Sequence, residues 1–357
     1  MKKTPAQPTI SINTRRYQNT KYYPININTG ESNPFRNDVG EVADIVSFTR
    51  EFLHRLPGDK QIEAYKAIWG DKVGWDTRFQ EIVLYVGMKG GKNYWSEADV
   101  AYTCYFISCL RNPHDYFTKL TKVLVPYTID KNFDIVNVSS VDAKQAQMAF
   151  FESIKSVLRL TKDPKTGEPW FTKYAGLDLR ESEGDILSKQ IVFPQAVPGK
   201  GTIRIMSFNS TAKAPEGLHI IRYYADELSR ADTKAKYKEA AKLYALGLNN
   251  TSVSFPNRVG KVVGWSYAND TDHDLTGERY ELSFKVDSIY AVRYATWEFN
   301  PITDRWKEKT NFEGSSRYEA VAFAIDNKPY VTTGRSSGYY LDDLWTFDPD
   351  AEYEEND

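Results

Sequence analysis

Between Val86 and Asn93 the chain reads Val-Gly-Met-Lys-Gly-Gly-Lys-Asn, directly after the apolar run Glu81–Val86. Glycines let backbone N–H groups close around phosphate oxygens, a helix start behind them adds positive potential, and a lysine can reach the β and γ phosphates of a nucleotide. Lys92 is the lysine so placed. The stretch departs from the usual phosphate-loop spacing twice, with Val86 where a glycine is expected and Asn93 where a serine or threonine is expected. A glycine-rich structural turn is the competing explanation.

A second element lies about 130 residues on. The run from His219 to Glu227 is apolar up to Ala225 and ends in two adjacent acids, Asp226 and Glu227. In a nucleotide motor the first acid holds Mg²⁺, directly or through water, and the second polarises the water that attacks the γ-phosphate. An Asp-Glu pair can equally cap the helix that follows, because acids are favoured at helix starts. A phosphate loop and a strand-borne Asp-Glu in this order favour nucleotide hydrolysis over either bland explanation.

These residues need elements to carry them. Helical spacing of apolar residues over 42–69, broken by Pro57, Gly58 and Asp59, predicts two helices, and 96–110 reads as a buried helix after the glycine-rich loop. Further strands are predicted at 133–138, 202–208, 220–225 and 261–265, with helices at 143–160 and 234–246. Strands alternating with helices imply an α/β fold, a parallel sheet with flanking helices. Residues 1–40 are polar and basic and read as an arm, 41–296 as the nucleotide-binding domain with its N-terminal helices, and 297–357 as a β-rich segment ending in an acidic tail.

From about residue 77 to 300 the sequence resembles the large terminase subunits of tailed bacteriophages, the ATPases that pump DNA into procapsids. FQEIVLYVGMKGGKNYWSE resembles the family's deviant phosphate loop, and VNVSSVDAKQAQMAFFESI the strand and helix that follow. SFNSTAKAPEGLHIIRYYADELSRA is similar to the segment leading into the Asp-Glu strand, and KVVGWSYAND falls where the family has its coupling motif. The resemblance implies a P-loop fold of the RecA/ASCE type, with ATP and Mg²⁺ as cofactors. By position it implies Gly87, Met88, Gly90, Gly91, Lys92 and Asn93 at the nucleotide, and Asp226, with Asn93, at the metal. It further implies Glu227 as catalytic base and Ser266 with Asn269 as couplers. Lys89 falls where many relatives carry a basic residue that acts on the transition state. Gln61 is in range of an adenine-reading glutamine, against the simpler reading of a solvated helix residue. The implied partners are double-stranded DNA, a portal protein and a small terminase subunit, with a homo-oligomeric ring as the active form in the host cytoplasm.

Composition narrows the alternatives. Two cysteines, Cys104 and Cys109, inside one apolar segment and four scattered histidines leave no disulfide framework and no zinc cluster, so any metal should be hard and oxygen-bound. No apolar run is long enough to span a bilayer, and no apolar stretch follows the basic N-terminus as a secretory signal would require. The net charge of −2 hides eight acids and no base in residues 342–357, so the remainder carries a surplus of positive charge compatible with sliding along DNA.

The family continues into a metal-dependent nuclease domain for which 357 residues leave no room, so DNA cleavage is not expected of this chain. The segment from Trp297 resembles a single kelch blade instead, with WEFNP at 297–301 and WTFDP at 345–349, 48 residues apart. A fusion, a recruited adaptor or a chance match would each explain it. Asp342, Asp343, Asp348 and Asp350 read as a solvated acidic surface rather than a nuclease centre. A non-enzymatic adaptor with a degenerate nucleotide site and a helicase-like ATPase are the alternative functions.

Overall fold

The apolar runs found in the sequence become the parallel strands of one sheet in the computed structural model. The structure describes residues 33–87, 89–122, 131–139, 143–178, 186–187, 190–209, 217–226, 234–267, 274–300, 316–325, 328–336 and 338–346. The chain divides into two units, Met1–Asp304 and Arg305–Asp357.

In the first unit, a short helical turn Ile45–Ser47 continues as a π-helix over Phe48–Phe52, and helix α1 spans Asp59–Trp69. Then come β1 (Glu81–Val86), α2 (Lys92–Cys109), α3 (Pro113–Thr121), β2 (Phe133–Ser139), α4 (Ala143–Leu160) and α5 (Trp170–Ala175). The short strands β3 (Ile186–Leu187) and β4 (Gln190–Val192) lead into β5 (Ile203–Asn209), β6 (Ile220–Asp226), α6 (Lys234–Ser254) and β7 (Lys261–Ser266). The unit closes with α7 (Leu275–Ser283), β8 (Ile289–Tyr294) and α8 (Thr296–Phe299).

Among the described residues the sheet order is β3-β4-β5-β2-β6-β7-β1-β8. From β5 to β8 every pairing is parallel, while β3 and β4 add an antiparallel edge. The arrangement is the α/β fold of a P-loop domain, with β7 inserted between β1, which leads into the glycine-rich loop, and the acid-bearing β6. A parallel sheet must be covered on both faces, and β1, β6 and β7 accordingly bury nearly every residue. Alternation along β6 sends Tyr224 into the core shared with α1 and α2, and Tyr223 and Ala225 into the core shared with α6.

Several elements differ from the sequence expectation for physical reasons. Helix α2 starts at Lys92 rather than 96, because Gly91 takes a left-handed backbone at φ +79° and starts the helix directly behind the loop. Helix α6 runs through Gly247 to Ser254, because the Tyr223 ring packs where a Cβ at Gly247 would stand, 2.5 Å from Cδ1. Helix α3, unpredicted, begins with Asn112 accepting the Asp115 N–H and with proline in its first turn. Of the residues read as an arm, 1–32 lie outside the described residues, and Phe35 is buried edge-on against Phe106, its strand-like bridge to Leu110 anchoring the chain there.

The second unit is described by itself. Strands β9 (Val321–Ile325), β10 (Lys328–Thr332) and β13 (Leu344–Thr346) form an antiparallel sheet, and β11 (Arg335–Ser336) pairs with β12 (Tyr339–Tyr340). Arg317 pairs with Asp343, which also accepts the Trp345 Nε1–H at 2.6 Å. Of the two segments behind the kelch resemblance, Thr296–Phe299 are helical and Leu344–Thr346 extended, while residues 301 and 347–349 lie outside the described residues. Residues 347–357 of the acidic tail, with Asp348 and Asp350, lie outside the described residues.

Cys104 and Cys109 are fully buried, and burial pushes both thiols far above their ordinary pKa. The thiolate is the reactive form, so the native protein should release no colour with an aromatic disulfide reagent at pH 8, and both thiols should react once urea unfolds it. Rapid native reaction of either would show that the α2 core opens.

Candidate functional site

The loop after β1 is shaped by close backbone approach. The Gly87 N–H donates to Tyr294 O at 3.2 Å, fastening the loop to the end of β8, and the Gly90 N–H donates to Gly87 O at 3.1 Å. A Cβ at Gly87 would collide with Thr296, and one at Gly90 would lie 2.5 Å from Val86 Cγ1 and 2.9 Å from Gly87 O. Lys89, exposed, holds a left-handed backbone at φ +57° without being glycine. Such a conformation costs a non-glycine residue about 1–2 kcal/mol. It is retained with help from Asn300, whose Nδ2 donates to Lys89 O at 2.9 Å.

Lys92 opens α2 yet is only 7% exposed. Its Nζ donates to Val86 O at 2.9 Å and Gly87 O at 3.1 Å, and lies 5.6 Å from the Tyr267 ring centroid. The cation is therefore tucked under the loop and turned toward the end of β7. The first intrahelical bond here runs from the Trp95 N–H to Gly91 O at 3.0 Å, so the helix start supplies backbone donors of its own. Ammonium, helix start and loop amides on one strand end can bind a polyphosphate. Asn93 is exposed beside them.

Gln61 is neither solvated nor open to a base. It is 1% exposed, its Oε1 accepts the Gly58 N–H at 3.2 Å, and its Nε2 lies 3.1 Å from where a Gly91 Cβ would stand. The α1 side chain thus packs under the loop as a brace, which corrects the expectation of a solvated helix residue.

The second cluster stands on the same sheet edge. Register pairs Asp226 with Trp265 on β7 and with Ser139 on β2, and Ser266 with Tyr85 on β1. Two strand spacings, about 10 Å, separate the end of β6 from that of β1, a span that a triphosphate with its metal can bridge. Ser266 is fully buried and Asp226 half-buried. The structure brings Gly87, Lys89, Gly90, Gly91, Lys92, Asn93 and Gln61 together around one loop, with Asp226 and Ser266 on the edge beside it. Met88, Glu227 and Asn269 lie outside the described residues. Sequence reasoning missed Thr296, Asn300 and Tyr267. The first two come to the loop from about 200 residues downstream, and no local pattern marks them.

A family model described as "Uncharacterized protein MJ0330, N-terminal P-loop domain" matches residues 22–323. No curated protein sequence matches the chain. Among solved structures, the HK97 bacteriophage large terminase is similar over 70% of this chain, with 12% identity and a TM-score of 0.44. This chain spans 43% of that one. The ATPase domain of the Thermus phage P74-26 large terminase is similar over 71% of this chain and 91% of that chain, with 14% identity and a TM-score of 0.39. At these scores nothing about activity transfers from those structures.

The loop geometry sets a stability test. Gly90→Ala forces the loop away from Val86 and should cost about 1–3 kcal/mol. Asn300→Ala removes one half-exposed bond and should cost about 0.5–1.5 kcal/mol. Urea unfolding midpoints measure both, and a Gly90→Ala protein as stable as the parent would contradict this loop conformation.

Proposed function

The chain belongs to the MJ0330 N-terminal P-loop domain family, and we propose that it is a Mg²⁺-dependent ATPase whose turnover moves double-stranded DNA. The observation that carries the ATPase reading is the common sheet edge of the Lys92 loop and Asp226, with β7 between their strands. In this reading Gly87, Gly90 and Gly91 offer amides to the phosphates, and Lys92 exchanges the carbonyls of Val86 and Gly87 for phosphate oxygens. Glu227 accepts a proton from, or orients, the attacking water. Ser266 and Asn269 sense the γ-phosphate, and Lys89 reaches the transferring group from the loop.

The donors suited to the metal are hard oxygens, the Asp226 carboxylate and the Asn93 side-chain carbonyl, a set that fits Mg²⁺ chemistry. When bound, the metal neutralises charge on the β and γ phosphates. Asn93 is a weaker donor arrangement than a hydroxyl at the start of the helix. That one feature favours the second reading, a binding module with a degenerate nucleotide site.

The packaging role is the finer part of the proposal. It rests on the ordered terminase-like stretches between residues 77 and 300, with portal and small terminase subunit as partners and a ring of copies as the working form. Residues 41–296 are taken as the motor, preceded by the basic 1–40 and followed by the β-rich 297–357. No helix among the described residues is long and apolar enough to cross a membrane.

Turnover assays separate the readings. Mg·ATP hydrolysis should be saturable, should stop on chelation of Mg²⁺, and should rise when double-stranded DNA is added. Lys92→Ala should abolish it, and Glu227→Gln should keep nucleotide binding while lowering kcat by about 100-fold or more. A parent protein that binds ATP without hydrolysing it would establish the binding module instead.

A further inference from the structure

Below the site, in the core between α1, α2 and β6, lies a carboxylate that the nucleotide chemistry above does not use. Asp99 is fully buried two turns along α2 from Lys92. Its Oδ1 accepts the Trp69 Nε1–H at 2.5 Å, and its Oδ2 accepts the Tyr224 hydroxyl at 2.5 Å. Arg222, also fully buried, approaches Oδ2 at 3.9 Å, and among the described residues none of its guanidinium nitrogens has a partner in good hydrogen-bond geometry. The guanidinium instead lies against two indoles packed edge to face with each other, 4.7 Å from the Trp69 ring centroid and 4.2 Å from that of Trp75.

An apolar cluster of similar volume would fill this space without desolvating two charges. What the polar cluster adds is direction. Dispersion contacts tolerate sliding of a helix along a strand, whereas two short charge-assisted hydrogen bonds to one carboxylate fix both register and rotation. The three elements joined through Asp99 each carry a residue of the candidate site. Trp69 ends α1, which carries Gln61 under the loop. Asp99 lies on α2, which begins with Lys92. Tyr224 precedes Asp226 by two residues on β6 and, by strand alternation, faces the same side of the sheet.

We propose that Asp99, acting through Tyr224 and Trp69, is a positioning residue that sets the phosphate-loop lysine and the acid strand at their working separation. The proposal rests on the ATPase reading. It differs from a purely structural role in one respect: loosening the cluster should degrade the chemical step more than nucleotide binding. The phosphate contacts come mainly from the loop and α2, with Asp226 adding only a metal contact, while hydrolysis needs the ends of both strands in exact place.

Tyr224→Phe tests this by deleting a single hydroxyl and keeping the ring. A matched control exists at the opposite end of the sheet, where the Tyr244 hydroxyl donates to Glu81 Oε2 at 2.9 Å. Both variants lose one buried tyrosine–carboxylate bond, so their thermal midpoints should fall comparably. Tyr224→Phe should lower kcat for Mg·ATP by at least about tenfold with KM within about threefold, whereas Tyr244→Phe should stay within about twofold of the parent in both. Asp99→Asn should follow Tyr224→Phe if it folds. Equal kcat for Tyr224→Phe and Tyr244→Phe in folded proteins overturns the positioning role and leaves the ATPase reading standing. Absence of turnover in the parent protein overturns the ATPase reading itself, and this proposal with it.

Discussion

Parallel pairing from β5 to β8 is the constraint from which the rest of the molecule follows. Strands that all run one way deliver all their C-terminal ends to one edge, so residues far apart in sequence meet there without any dedicated scaffold. The same pairing requires both faces of the sheet to be covered, which is why the strands read as continuous apolar runs and why helices return between them. Within that frame, placing β7 between β1 and β6 sets the span from the Lys92 loop to Asp226 at two strand spacings. A direct β1–β6 pairing would halve that span, and a longer insertion would put the two clusters out of each other's reach.

The sequence shows this frame well because its signals are local. Apolar runs at 81–86, 220–225 and 261–265 are long and bounded, and the glycines of the loop stand out against them. Less legible was whatever depends on contacts between distant segments. Helix α6 crosses Gly247 because Tyr223, on another element, occupies the space beside it. Gln61 looked like a surface residue because nothing near it in sequence reveals that the Gly91 backbone closes over it. The left-handed Lys89 would be an unfavourable guess at any non-glycine position, and part of its support comes from Asn300, arriving after β8.

Charge inside the α1–α2–β6 core illustrates how specificity and stability part company. Among the described residues Arg222 has no well-formed hydrogen bond. Besides the Asp99 carboxylate at 3.9 Å, its favourable contacts are with two indoles, a cation–π arrangement worth about 2 kcal/mol or more when desolvated. That offsets part of the cost of removing a guanidinium from water without recovering all of it. A core optimised only for stability would not keep such a group on the strand that ends in Asp226. Its presence fits a region where precise relative placement of helix and strand matters more than the last increment of folding free energy.

The tucked position of Lys92 changes what ligand capture means for this loop. Its ammonium is already satisfied by the carbonyls of Val86 and Gly87, so an arriving anion does not find a bare cation but enters a competition with the chain's own oxygens. Each hydrogen bond formed to phosphate is traded for one given up, and the net gain comes from replacing neutral acceptors by charged ones. A loop of this kind discriminates by charge density: a monoanion gains little over two peptide carbonyls, whereas a polyphosphate gains enough to draw the lysine out. On the proposed nucleotide reading, preference for a polyphosphate over small anions would then come from an internal rival for the lysine rather than from a lid.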